Sequence, residues 1–164
     1  MLRPWAMMLM ATASVLGADR FDVCDLRVSV AAIGLDHGWR SSVDGLLGVD
    51  LGWLGVIAGA GVAHDRRVPP EGERRATSAR LIAGPYLPLG PTNVELLPWI
   101  GCGRAAVTTA WGHSGTTPIS EGGADLLITC VLGHVVLGGG GGWQRASDLE
   151  GGAWQAGALL GLRF

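Results

Sequence analysis

The chain contains no lysine, and only 16% of its 164 residues are charged. Its 12 basic residues, all arginine, are balanced by 14 acidic ones, and the net charge of −2 is too small to indicate a nucleic-acid partner. After the N-terminal region, no apolar run reaches the roughly 18 residues that a membrane-spanning helix needs. The glycine run 138–142 lacks the lysine and the strand–turn–helix context of a phosphate-binding loop. Nucleic-acid binding, helical membrane spans and a nucleotide-binding loop are therefore not expected.

Cysteine is also scarce, with three residues. No Cys-x-x-Cys pair and no cysteine–histidine spacing indicates a metal site, and nothing indicates a cofactor. Cys102 and Cys130 fall nearly opposite each other in a predicted hairpin, but the alternation places Cys102 inward and Cys130 outward. We therefore expect these two and Cys24 to be small packing residues rather than disulfide partners.

Glycine, in contrast, is abundant. The 28 glycines far exceed the roughly 7% of an average protein, although glycine weakens helices and ordinary strands. A narrow barrel explains the excess, because small residues leave room for large inward neighbours and permit tight curvature. The 48% apolar content is ample for one compact domain.

The C-terminal segment 154–164 carries the most specific pattern. Every second residue is apolar, and these residues are Trp154, Ala156, Ala158, Leu160, Leu162 and Phe164. A period of two predicts a strand with one apolar face, and the length suits the roughly 9–11 residues of a bilayer-crossing strand. The segment resembles the closing strand of bacterial outer-membrane β-barrels, which characteristically end on phenylalanine. That resemblance implies an outer-membrane location, outer-membrane lipids as partners, and recognition of the last strand by the barrel-assembly machinery.

Six further segments show similar strand-like patterns. With the last one, the predicted strands are 24–34, 46–61, 76–88, 94–109, 123–132, 135–145 and 153–164. The pattern predicts an all-β fold, a closed antiparallel transmembrane β-barrel. Because single-chain barrels have even strand numbers and eight strands make the smallest usual barrel, we expect eight strands.

The N-terminal region 1–18 supports two interpretations. Its short basic start, apolar run and small residues at Ala11–Ala13 are typical of a signal peptide. Alternatively, residues 8–18 supply the missing strand as part of the wall. In both cases we expect 19–164 to be the barrel domain.

The connections alternate in length, as in membrane barrels. The longer, polar ones at 63–75, 111–122 and 146–152 are predicted to be external, whereas 88–93, 132–134 and the intermediate link 35–44 are predicted to lie on the inner side. Centring the last external loop between Asp148 and Leu149 pairs Trp143 with Trp154. These two and Trp111 would form an outer aromatic girdle, with Tyr86 and Phe164 in the inner one.

Charged residues are predicted in two places. Six of them would point into the lumen and plug it as a buried network, namely Arg27, Asp50, Arg80, Arg104, Asp125 and Arg163. Four others crowd the first long loop, Arg66, Arg67, Arg74 and Arg75. They are candidate contacts for lipopolysaccharide phosphates, although a solvated loop of mixed charge is the plainer interpretation.

The expected function is a structural or surface-presenting outer-membrane barrel without catalytic residues. One alternative is an outer-membrane lipid-modifying hydrolase, since His113, Ser114, Ser120 and Glu121 form a cluster with suitable chemistry. Their predicted place in a flexible loop does not suit a nucleophile and its base. The other alternative is a soluble periplasmic lipocalin-like binder, because alternating strands and glycine suit it as well.

Overall fold

The computed structural model describes residues 22–34, 38–68, 72–109, 111–112 and 114–164. Eight strands follow one another, and their bounds are β1 Val23–Ile33, β2 Gly38–Asp50, β3 Gly55–Arg67, β4 Gly72–Leu89, β5 Thr92–Thr109, β6 Ser114–Leu132, β7 Val135–Ala146 and β8 Gly152–Arg163. Each strand pairs antiparallel with the next one. None of the described residues forms a helix long and apolar enough to cross a membrane.

The sheet closes on itself through β1 and β8. These strands pair in a continuous register from Asp25 opposite Arg163 to Ile33 opposite Gln155, which completes a closed barrel. Closure gives every strand two neighbours, so the sheet has no open edge along its paired length. The predicted all-β fold, its antiparallel closure and its eight strands are confirmed.

The eighth strand is not where we expected it. The predicted strand 46–61 contains a turn, because β2 ends at Asp50 and β3 begins at Gly55. The predicted link 35–44 is mostly β2. Its alternate residues Arg40, Ser42 and Asp44 are buried, so the segment is polar because it faces a polar interior. The alternative strand at 8–18 lies outside the described residues.

The two ends of the barrel differ. The connections after β1, β3, β5 and β7 lie at one end, called the loop end. Those after β2, β4 and β6 lie with Phe164 at the other, called the terminal end. The link after β1 is therefore on the same side as the long connections, which corrects its predicted place. Most of the predicted loops 63–75 and 111–122 are strand, since β4, β5 and β6 reach 18, 18 and 19 residues and extend beyond their neighbours.

The barrel has inverted polarity. Large apolar side chains are exposed on the outer wall, among them Val30, Leu81, Leu96, Ile100, Leu126, Ile128, Leu160 and Leu162. The interior holds buried charged residues together with two apolar clusters. The larger one lies near the terminal end and is made of Val23, Leu46, Ile57, Ile82, Tyr86, Leu97 and Trp99, and the smaller one is made of Ala76, Ala105 and Ile119. The outer wall is thus apolar, and the interior is largely ionic.

Candidate functional site: the barrel interior and the outer wall

The closing strand has the predicted alternation. Trp154, Leu160 and Leu162 are exposed on the outer wall, whereas Gln155 and Leu159 are buried inside. After β8, the backbone N–H of Phe164 donates to the carbonyl of Cys24 on β1 at 3.0 Å. The chain therefore ends on an outward-facing aromatic residue held at the terminal end.

Aromatic side chains lie on the outer wall at both ends. Trp143 lies directly opposite Trp154, and both are exposed, so the predicted cross-strand pair is confirmed. Trp111 is exposed in the connection after β5, and Phe164 is exposed at the terminal end. Their contact with a membrane interface stays a prediction.

Tyr86 is not on the outer wall, which corrects its assignment to the inner girdle. It is 3% exposed and belongs to the larger apolar cluster, because it shares the inner face of β4 with Ile82. Its ring occupies the space left by Gly55, where a Cβ atom would lie 2.1 Å from it. Trp53, in the turn after β2, is instead exposed at the terminal end. Sequence reasoning missed this position because the predicted strand 46–61 included the turn.

The first layer of interior charges lies at the terminal end. Arg27 donates to Asp25 at 2.7 Å and to Glu95 at 3.0 Å, and Arg163 donates to Asp25 at 2.7 and 2.9 Å. The Thr129 hydroxyl donates to Glu95 at 2.7 Å. Both carboxylates have side chains that are 0% exposed. Burial of these charges is tolerated because each one has several partners.

The second layer lies in the middle of the barrel. Arg80 donates to Asp44 at 2.9 Å and to the Ser42 hydroxyl at 2.7 Å, and Ser42 donates to Asp44 at 2.9 Å. On the opposite wall, the Gln155 amide donates to Asp125 at 2.6 Å. A cavity of about 70 Å³ lies among residues of both walls, including Arg80, Asp125 and Gln155.

The third layer lies nearer the loop end and is centred on Arg40. Its guanidinium donates to Glu121 at 3.1 Å, lies 3.5 Å from Asp65 and stacks 4.3 Å from the centre of the Trp99 ring. Ser78 donates to the same Glu121 carboxylate. Arg40 therefore links an ion pair to the face of an aromatic ring, an arrangement favoured in desolvated sites.

A fourth layer lies beneath the loop end. Arg74 donates to both oxygens of Asp148 at 2.7 and 2.9 Å. Arg67 and Arg74 lie 3.9 and 4.0 Å from Asp65. Together the four layers place paired charges along the length of the lumen.

The prediction of inward charges was partly correct. Arg27, Arg80, Asp125 and Arg163 face the interior, but Asp50 and Arg104 are exposed. Asp50 ends β2, where its backbone N–H donates to the Asp22 side chain at 2.7 Å. Arg104 lies on the outer face of β5. Sequence reasoning missed other inward charged residues, among them Asp25, Arg40, Asp44, Asp65, Glu95 and Glu121, although strict alternation along each strand could have identified them.

The four loop-end arginines divide into two pairs, and all lie on strands rather than in a loop. Arg67 and Arg74 are buried in the fourth layer and do not face the outside. Arg66 and Arg75 lie opposite each other on the outer wall, with side chains 43% and 60% exposed. Both donate to Glu73, at 2.6 and 2.7 Å. Their hydrogen bonds lower the pKa of the Glu73 carboxyl to about 2.

The three cysteines are free and lie on outward positions. Cys102 pairs with Ser120 and Cys130 with Thr92, so the two are far apart along the hairpin. Cys102 is exposed, which corrects its predicted inward direction. No group of three or more metal-binding side chains occurs among the described residues.

The candidate hydrolase cluster is divided by the wall. Ser120 is exposed, whereas Glu121 is buried and paired with Arg40 inside the barrel. Successive residues of a strand point to opposite faces, so this pair cannot act on one substrate. Ser114 is exposed at the start of β6, and His113 lies outside the described residues.

The geometry defines a class of fold, a closed eight-stranded antiparallel β-barrel with an apolar outer wall and an ion-paired interior. Neisserial surface protein A has the same fold. Neisserial surface protein A is 14% identical over 87% of this chain and 95% of its own length, with a TM-score of 0.54. Ail of Yersinia pestis is 16% identical over 88% of this chain and 99% of its own length, with a TM-score of 0.49. No protein-family model and no curated protein matches the chain.

Proposed function

We propose that this protein is a small integral outer-membrane β-barrel with a structural or surface-presenting role and a lumen plugged by side chains. This proposal rests on the inverted polarity, in which an apolar outer wall surrounds a largely ionic interior. Leu81 and Ile100 are 62% and 68% exposed on the wall, whereas Arg27 and Glu95 are 2% and 0% exposed inside. Water favours the opposite arrangement. In lipid, a closed barrel pairs its backbone groups between strands.

The distribution of aromatic residues supports insertion with strands crossing the bilayer. Trp143 and Trp154 are exposed towards the loop end, and Trp53 and Phe164 at the terminal end. Amphipathic rings favour the two membrane–water interfaces. The short connections at the terminal end suit the periplasmic side, and the extended strands at the loop end suit the cell surface. Neisserial surface protein A, which shares the fold, carries a name consistent with this orientation.

The interior supports a plugged barrel. An eight-stranded barrel leaves an interior that side chains just fill, and here the charges are paired in four successive layers. The cavity of about 70 Å³ lies between these layers. We therefore propose that the barrel carries no solute, and that the ion pairs hold its strands together.

Two partners follow from the outer wall. Arg66 and Arg75 present guanidinium groups that suit lipopolysaccharide phosphates, and Arg104 lies exposed on the neighbouring strand β5. We propose these side chains as the contacts, in place of the buried Arg67 and Arg74. The outward residues of β8 and Phe164 are the proposed recognition surface for the barrel-assembly machinery.

Heat-modifiable gel migration of the detergent-extracted protein tests the proposal. A folded membrane barrel resists dodecyl sulfate until it is boiled, so unheated and boiled samples should migrate differently. Partition between detergent and aqueous phases provides the second readout. Equal migration together with solubility in plain buffer would contradict the proposal and favour a soluble periplasmic binder.

A further inference from the structure

The ladder between β4 and β5 is interrupted in the middle of both strands. Residues 83–85 of β4 and 96–98 of β5 are not paired, although the register is the same on either side of this gap. The gap contains Pro85 and Pro98, and proline has no N–H to donate. Pairing of β4 with β3 and of β5 with β6 continues through the same residues. The nitrogens of both prolines therefore face the ladder that β4 and β5 share.

The two prolines weaken one place in the wall. The carbonyls of Ala83 and Leu96 lack their ladder donors there, and in lipid the ladder is the main connection between strands. Pro118 shows the usual arrangement, because it lies on a part of β6 that has no partner on β7, where a missing donor leaves no gap. Two prolines facing one interior ladder are therefore a specific feature of this barrel.

The outer side of the gap lies in the apolar wall. Leu81, Leu96 and Ile100 surround it with 62%, 48% and 68% of their surface exposed, and Pro85 and Pro98 are exposed as well. In a bilayer these side chains would contact acyl chains. The outer side of the gap would therefore face the hydrocarbon of the lipid acyl chains.

The inner side of the gap is apolar too. Ile82, Leu97 and Trp99 of the larger apolar cluster lie next to it, and Gly84 contributes no side chain between Ile82 and Tyr86. The cavity of about 70 Å³ is lined by the same three residues together with Leu46 and Leu127, and also by charged residues, of which Arg40 and Arg80 lie over the Trp99 ring. The gap therefore adjoins the larger of the two apolar clusters in the described interior.

We propose that this gap is a lateral portal, through which the end of a lipid acyl chain enters the cavity beside Trp99. The cavity has about half the volume of the 150 Å³ apolar cavity that binds benzene, so it accepts a chain terminus rather than a whole lipid. Entry requires only local separation of β4 and β5 where two hydrogen bonds are already missing. The inference rests on the proposed membrane insertion, which the experiment measures separately.

Quenching of Trp99 fluorescence by brominated lipid tests the portal. The full-length chain, with every tryptophan except Trp99 replaced by phenylalanine, is folded into phosphatidylcholine vesicles with bromine near the chain ends. We expect quenching, and we expect the Pro85→Val/Pro98→Val variant, which restores both donors, to reduce it at least twofold. Equal quenching in both proteins, or none in either, would overturn the portal.

A variant retaining only Trp154 is the matched control, measured in vesicles whose lipids carry bromine close to the headgroup, since this residue is exposed on the outer wall towards the loop end. It should be quenched equally with and without the two proline substitutions. Loss of that signal would overturn membrane insertion itself, and is thereby distinguished from failure of the portal alone.

A second measurement uses the natural sequence, in case the single-tryptophan chain does not fold. A photoactivatable fatty acid is cross-linked in vesicles, and the labelled residues are identified by mass spectrometry. Label on the inward residues Ile82 or Leu97 supports the portal. Label confined to the outward residues Leu81 and Ile100 overturns it.

Discussion

Arg27 and Glu95 lie 68 residues apart in sequence and form a two-pronged ion pair inside the barrel. Their side chains are 3% and 0% exposed. Since β1 and β5 are not neighbours in the ring, the pair spans the lumen and joins opposite walls.

Replacement of Glu95 by alanine leaves Arg27 with less compensation in a dry interior. Removing one partner of a buried pair typically lowers the free energy of unfolding by about 3–5 kcal/mol, and we expect a loss of this order. Urea unfolding of the barrel in vesicles, followed by tryptophan fluorescence, measures it. Arg104→Gln is the control, since this exposed arginine should change stability by no more than about 0.5 kcal/mol. Similar losses in both variants would contradict the structural role of the pair.

The strand count was predictable, but the position of one strand was not. The turn after β2 contains the exposed Leu51 and Trp53, and these apolar residues give no polar turn signal. The apolar alternation therefore continued through the turn. In the same region, Arg40 and Asp44 looked like loop residues because a strand facing an ionic lumen has polar residues inside.

Side-chain direction was predictable only where one face of a strand differs from the other. On β8 the apolar and mixed faces are distinct, and every outward residue was identified. On β5 both Leu96 and Leu97 are apolar, although one faces out and the other in, so the alternation does not fix the direction. The errors at Arg104 and Cys102 follow from this ambiguity. The ion-pair partners could not be predicted, because pairs such as Arg27 with Glu95 depend on closure of the ring.

Gly55 is required by the ring of Tyr86. A Cβ at this position would lie 2.1 Å from two ring atoms, and overpacking of this kind typically destabilises by about 1–3 kcal/mol. We expect Gly55→Ala to lower the urea midpoint accordingly. In the double variant, Tyr86→Leu should remove most of the stability loss caused by Gly55→Ala, because it removes the obstructing ring. Gly115→Ala, where no atom lies within 4 Å of the added carbon, is the control. No rescue by Tyr86→Leu would show that the loss has another cause.

Glu73 should titrate far below an ordinary glutamate. Its pKa is lowered from 4.5 to about 2 by hydrogen bonds from Arg75 and Arg66. Because the folded pKa is depressed, the stabilisation by these bonds is complete above about pH 4.5 and is lost as the pH falls towards 2. Carboxyl carbon NMR of the folded barrel in detergent measures the midpoint. In the Arg66→Ala/Arg75→Ala variant it should return towards 4.5, and an unchanged midpoint would show that neither arginine causes the shift.

Removing the Arg66 and Arg75 pair and neutralising Glu73 should change lipopolysaccharide binding in opposite directions. Both guanidinium groups already share Glu73, so this carboxylate competes with any phosphate that approaches them. We expect Arg66→Ala/Arg75→Ala to weaken lipopolysaccharide binding about tenfold, since each arginine loses charge-assisted hydrogen bonds to phosphate. Glu73→Gln should instead strengthen binding, because it frees both donors.

Titration of the vesicle-embedded barrel with lipopolysaccharide, followed by calorimetry, measures both effects. Arg145→Ala is the control, because Arg145 is also an exposed arginine near the loop end but lies on β7. Added salt should diminish the difference between wild type and the double variant, as screening reduces exposed charge interactions. If Glu73→Gln weakens binding, the carboxylate orients the arginines for the ligand rather than competing with it. If Arg145→Ala has the same effect as the double variant, the affinity reflects overall charge, and the proposed contact at Arg66 and Arg75 is wrong.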